Sequence, residues 1–157
     1  MNNGLAQLLE QLVNAIPEVP WIRVLYAFPG FVTPRLIEVI SSYPQILPYI
    51  DIPLQHAHPD VLRRMRRPDD VDEVRRTIAN LREVMPDVAI RTTLIVGFPG
   101  ETEEEFQVLM EFVKEMQFDR VGVFAYSHEL GTSAGGLHDD EGYECIWRGS
   151  DRLFFAR

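Results

Sequence analysis

Two histidines one residue apart, His56 and His58, follow the run Tyr49-Ile50-Asp51-Ile52-Pro53-Leu54-Gln55. A His-x-His pair at a strand end projects two imidazoles to one side. Imidazole suits zinc or non-haem iron, and a carboxylate such as Asp51 could complete a site. Two histidines alone do not define a metal centre. A second group is Gly97-Phe98-Pro99-Gly100-Glu101, directly after the run 89–96. Its glycines let backbone approach a ligand closely, with Glu101 at the start of the next helix. A tight strand-to-helix turn with an acidic first helical turn accounts for the same residues without a ligand. Arg91 lies inside the run, and a charge buried there needs a partner: either a ligand carboxylate or an internal salt bridge. Gln55 ends one apolar run, and Tyr126 and Ser127 end another; each is a polar position in or beside a loop.

Sulfur chemistry is the most constrained. The 157 residues contain one cysteine, Cys145, so the chain holds neither a disulfide framework nor a multi-cysteine metal site. With 46% hydrophobic and 25% charged residues it has the composition of an ordinary globular domain. The formal net charge of −9 argues against broad, non-specific nucleic-acid binding, which needs a positive field. Arg63, Arg64, Arg66 and Arg67 form a local basic cluster that fits either an acidic partner or a solvated helix face beside Asp69 and Asp70. No apolar run approaches the ~20 residues a bilayer requires. The start, Met1-Asn2-Asn3-Gly4, lacks the basic and apolar regions of a signal peptide, so a cytoplasmic location without membrane partners is expected.

The elements that must position these residues alternate. Leu5, Leu8, Leu9, Leu12, Val13 and Ile16 have helical spacing. Trp21–Phe28 reads as a strand stopped by Pro29-Gly30. Thr33-Pro34 starts a helix with Leu36, Ile37, Val39 and Ile40 inward. A second strand, 49–54, leads to a short helix between Pro59 and Pro68. Asp69 or Asp70 caps a longer helix with Val71, Val74, Ile78, Leu81 and Val84 on one face. A third strand covers 89–96, with burial expected on both faces. Thr102 and Glu105 make a capping box for a helix burying Phe106, Leu109, Met110, Val113 and Met116, and 120–126 is a fourth strand. Alternating βα units imply a parallel sheet, as part of a barrel or of an open sheet. In both, ligands gather at the carboxyl ends of strands.

Three segments carry a family resemblance: Tyr49 to Ala57 with its Pro53-Leu54-Gln55-His56-Ala57 string, Arg91 to Phe106, and Phe118 to Ser127 with Gly131-Thr132 beyond. They resemble the radical-SAM methylthiotransferases. The second segment reads Arg-Thr-Thr-Leu-Ile-Val-Gly-Phe-Pro-Gly-Glu-Thr from Arg91 to Thr102. The Pro53–Ala57 string and Trp21-Ile22-Arg23-Val24-Leu25-Tyr26 are similar to the RimO branch, which modifies an aspartate of a small-subunit ribosomal protein. The MiaB branch, which modifies transfer RNA, usually has a serine–glycine–serine stretch at the first place. The resemblance runs from about residue 5 to residue 132.

It implies an α/β fold, the third to sixth strands of a partial TIM-type (β/α) barrel in residues 1–132. It implies S-adenosylmethionine (SAM) as cofactor, with Ile95, Gly97 and Glu101 on the motif that seats the adenine side. Gln55 would lie near the ribose or amino-acid end, and Tyr126 and Ser127 at the end of the sixth strand; for Arg91 the ligand carboxylate offered above would be that of SAM or substrate. It also implies 4Fe–4S clusters held by cysteines, one set spaced C-x3-C-x2-C after the first strand. This chain has none there, and Cys145 lies beyond the last family strand, so inactivity of the chain alone is expected. The implied partner is a small-subunit ribosomal protein or the ribosome.

Other readings stand beside this one: a metal-dependent barrel hydrolase using His56 and His58, and a non-catalytic barrel relic or binding module. His58 departs from the serine common in the family. Exposed parallel strand edges would favour association of the isolated chain. Residues 133–157 have no sustained period and do not resemble the family, as expected of a lineage-specific tail or a segment read out of frame.

Overall fold

The computed structural model describes residues 3–129 and 131–137. The chain divides into two compact units, Met1–Pro53 with Asp72–Arg91 and Leu54–Val71 with Thr92–Arg157. The elements are α1 (Gly4–Ala15), α2 (Pro34–Ser42), β1 (Tyr49–Asp51), α3 (Pro59–Arg64), α4 (Val71–Val84), β2 (Ala89–Val96), α5 (Glu103–Met116) and β3 (Arg120–Ala125). The three strands form one sheet in the order β1-β2-β3. β1 and β2 run parallel, with Ile50 opposite Ile90 and Asp51 opposite Arg91. This is the α/β, parallel-sheet architecture that the alternation of elements implies.

In the first unit, α2 begins as its residues dictate. The Thr33 hydroxyl accepts the Leu36 N–H at 3.1 Å, Pro34 supplies a pre-set first turn, and Leu36, Ile37, Val39 and Ile40 are buried. α1 packs on α2 through Ala6 and Leu9, while Leu5 and Leu8 are exposed, so its apolar stripe is covered on one side only. Trp21–Phe28 does not form the expected strand. It is joined by one isolated parallel bridge, Ile22 to Ile46, and by the Ala27 N–H donated to the Asp51 carbonyl at 2.7 Å. Tyr26 has φ 61°, outside the extended region, so a ladder cannot run through it. β1 also stops early, after Asp51 rather than Leu54, because Pro53 has no N–H to donate.

In the second unit, the capping box of α5 is complete. The Thr102 hydroxyl accepts the Glu105 N–H at 3.3 Å and the Glu105 carboxylate accepts the Thr102 N–H at 2.9 Å. Phe106, Leu109, Phe112 and Val113 are buried, and Gln117 ends the helix in left-handed geometry. α3 ends sooner than Pro68 requires, since Arg66 has φ 55°.

β2 shows strict alternation. Ile90, Thr92, Leu94 and Val96 are buried, and Ala89, Arg91, Thr93 and Ile95 are half-buried, so its second face is less covered than expected. Among the described residues no helix is long and apolar enough to cross a membrane. Of the segment 133–157, the described part holds a short 3-10 turn at Ala134–Gly136; the rest, with Cys145, lies outside the described residues.

Candidate functional site

Two residues in the loops that follow neighbouring strands have left-handed backbone: Gln55, φ 71°, four residues beyond β1 and bridged to Leu94, and Gly97, φ 72°, directly after β2. Glycine adopts this conformation freely. For glutamine it costs about 1–3 kcal/mol and persists only where the surroundings impose it. They do so here, because the Gln55 N–H donates to the Thr93 carbonyl at 2.9 Å and its carbonyl accepts the Ile95 N–H at 2.8 Å. A side chain at position 97 would meet nothing within 4 Å, so there is open space beside the strand end.

The next residue, His56, turns inward and is 2% exposed. Its Nδ1 accepts the His58 N–H at 3.0 Å. A ring nitrogen that accepts cannot carry a proton, so the proton sits on Nε2, which donates to Glu101 Oε1 at 3.0 Å. The other carboxylate oxygen, Oε2, accepts the Phe98 N–H at 3.0 Å. Both side chains have no solvent exposure. Phe98 meets Tyr126 edge-on, with centroids 5.2 Å apart, and the Tyr126 N–H donates to the Val96 carbonyl at 2.8 Å.

One unit therefore holds Gln55, Ile95, Gly97, Glu101 and Tyr126, which lie at the ends of β2 and β3 or in the loops that follow the strands. The Glu101 carboxylate is committed inside the protein. Ser127 follows in the exposed loop. Arg91 belongs to the other unit, where it donates to Asp51 Oδ2 at 3.0 Å. The Asp51 carboxylate, against the opposing effect of burial, makes the guanidinium still harder to deprotonate, with Tyr49 helping. Of the two partners offered for Arg91 by sequence, the internal one is present. Asp51 Oδ1 is buried without a hydrogen-bond partner.

The His-x-His metal site does not form. Both His56 nitrogens are used, while His58 caps α3, its Nδ1 accepting the Asp60 N–H at 3.2 Å. His58, Asp60 and Glu105 do offer ligand atoms within 4.8 Å of one another. Arg64 grips Glu105 through two bonds of 3.1 and 2.6 Å, placing a positive charge where a cation would sit. Burial alone would raise the Glu105 carboxyl, but Arg64, the Thr102 N–H and His58 outweigh it and hold it below the usual carboxylate range. Sequence reasoning missed the His56–Glu101 link, which joins residues 45 apart. The usable signal was a histidine and a glutamate placed just beyond adjacent strands of a parallel pair.

Residues 2–113 match the family described as the Radical SAM superfamily. The chain belongs to the radical SAM superfamily. It is 57% identical over 137 residues to the ribosomal protein uS12 methylthiotransferase RimO of Herpetosiphon aurantiacus, covering 87% of this chain and 29% of that protein. It is 45% identical over 159 residues to the RimO of Geobacter sulfurreducens, covering 95% of this chain and 36% of the relative. That share is larger than residues 1–132 alone would give. The chain thus spans about three tenths of the length of the first of these relatives. Among solved structures it resembles coproporphyrinogen III oxidase (HemN) from Escherichia coli, described as a radical SAM enzyme. That likeness has a TM-score of 0.75 at 18% identity, covers 98% of this chain and 37% of the other, and bears on fold alone.

A radical SAM fold implies two groups, and the residues fit them unequally. Iron–sulfur clusters need thiolate ligands, and with Cys145 as its one cysteine this chain does not fit a cluster. SAM needs an apolar face, a polar group and room; half-buried Ile95, the Gln55 side-chain amide and the open space at Gly97 are of the right kinds.

Proposed function

We propose that this chain is the SAM-binding, strand-end portion of a radical-SAM methylthiotransferase barrel of the RimO type, whose substrate is an aspartate of ribosomal protein uS12. The observation that carries the reading is the 57% identity to a uS12 methylthiotransferase across 87% of the chain. On this reading residues 1–132 are the barrel portion, and the protein works in the cytoplasm on the small ribosomal subunit.

Ile95 packs against the adenine, Gln55 bonds the ribose or amino-acid end, and Tyr126 closes the rim. Gly97 leaves the space that a Cβ would narrow. Bound SAM supplies a sulfonium carbon–sulfur bond that is broken after electron transfer, opening the way to an unactivated C–H bond. The residues of this chain bind, orient and exclude water around it. With no cluster ligands, the chain by itself performs no reductive cleavage.

The test is isothermal titration of the full chain with SAM, alongside Gly97→Val. Saturable binding by the natural chain, weakened at least tenfold by the variant, is the expected result. Heat signals that never saturate, or equal affinity in both proteins, would overturn the reading.

A further inference from the structure

The two left-handed residues share one feature. Each is followed at once by a group held by the same carboxylate: Gln55 by His56, whose Nε2 donates to Glu101 Oε1, and Gly97 by Phe98, whose N–H donates to Glu101 Oε2. The carboxylate therefore fixes the exits of two strands with its two oxygens. The His56 ring passes the constraint one step further, to the His58 N–H that begins the approach to α3. We propose that His56 and Glu101 are positioning residues, which set the backbone of Gln55 and Gly97 for SAM without touching it. This inference rests on the SAM-binding reading above.

Three physical facts support it. The pair is without solvent exposure, so its bonds are undiluted by water. Each oxygen serves a different loop, so the loops cannot shift independently without leaving a buried acceptor or donor unpaired. The left-handed Gln55 is strained backbone, and such strain persists only where neighbours over-determine it. A histidine fits because it accepts at Nδ1 and donates at Nε2 across one rigid ring. Leucine has the bulk and neither function. Glutamine can still donate to Glu101 through its NH2, and its flexible chain lacks the fixed acceptor that the ring presents to His58.

The experiment compares the natural full chain with His56→Leu, His56→Gln and Leu109→Ala. Leu109 is a fully buried apolar residue on α5, used to lower stability without removing a hydrogen bond of the loops. Amide hydrogen exchange at Phe98 reads the link with no ligand present, and titration with SAM reads its consequence. His56→Leu is expected to speed exchange at Phe98, whose N–H is linked to His56 by hydrogen bonds through Glu101, and to weaken SAM binding about tenfold, equal to about 1.4 kcal/mol. His56→Gln should recover most of both effects. Leu109→Ala should lower the melting temperature and leave SAM affinity within about twofold. Unchanged Phe98 exchange in a folded His56→Leu protein would overturn the proposal, as would an equal loss of affinity in Leu109→Ala. If His56→Leu does not fold, His56→Asn, whose shorter side chain does not reach Glu101, takes its place: unchanged Phe98 exchange in that folded variant would also overturn the proposal. If the natural chain binds no SAM at all, the functional reading falls, while the exchange data still decide whether the carboxylate links the loops.

Discussion

The two units each bury a carboxylate beside a nitrogen base, and they use it differently. In the second unit Glu101 spends one oxygen on His56 and the other on the Phe98 N–H, while His56 spends its second nitrogen on the His58 N–H. In the first unit Asp51 bonds Arg91 through Oδ2 and leaves Oδ1 unpartnered, and the Arg91 side chain is 42% exposed. The first arrangement holds main chain, whereas the second mainly joins side chains. A buried polar pair that satisfies backbone groups cannot be exchanged for apolar residues, because the amides it served are left dry and unpaired. A pair that satisfies only itself often can be exchanged.

The sharpest break of this comparison is the double change His56→Leu with Glu101→Leu. It strands the His58 and Phe98 N–H groups, each costing about 1–3 kcal/mol, so urea unfolding should show a loss of about 2–6 kcal/mol. A loss under about 1 kcal/mol would mean the loops do not depend on the pair.

Next in size is Arg64→Met, which removes both bonds to Glu105 and should cost about 1.5–3 kcal/mol. This pair also carries a pH dependence. The Glu105 carboxyl is held below its ordinary value of 4.5 in the folded chain, so it binds protons more readily when unfolded. Its contribution is present above about pH 4.5 and is lost as pH falls through the lower folded value. Melting temperatures of the natural chain should therefore drop on acidification below that point. The Arg64→Met protein should show a shallower drop, and parallel curves would refute the assignment.

The smallest effect is expected for Asp51→Leu with Arg91→Met. Replacing both partners should leave stability within about 1 kcal/mol of the natural chain, or raise it. A loss as large as that of the His56–Glu101 double change would erase the distinction between the units.

Much of the local structure was legible in the residues. Thr33-Pro34 and the Thr102–Glu105 box favour helix starts through capping bonds that span three residues, and both start a helix here. β2 was readable from its β-branched run and the glycine after it. The strand at Trp21–Phe28 was not, because a strand exists only when a partner accepts its ladder, and Tyr26 turns away from that ladder. The strand-end location of Gln55, Ile95, Gly97 and Tyr126 followed from the alternation of elements. The destination of the histidines did not: adjacency in sequence suggested two imidazoles side by side, while burial took one inward and left the other capping a helix.

The sequence by itself determined the α/β alternation, the helix starts, the glycine turn after β2 and the absence of cluster ligands up to Cys145, because these depend on residue type and short spacing. Only the tertiary structure decided that Glu101 faces His56 and that Arg91 faces Asp51, pairs 45 and 40 residues apart. Strand pairing and inward burial bring such distant residues together, and no local propensity encodes which polar groups must then satisfy one another.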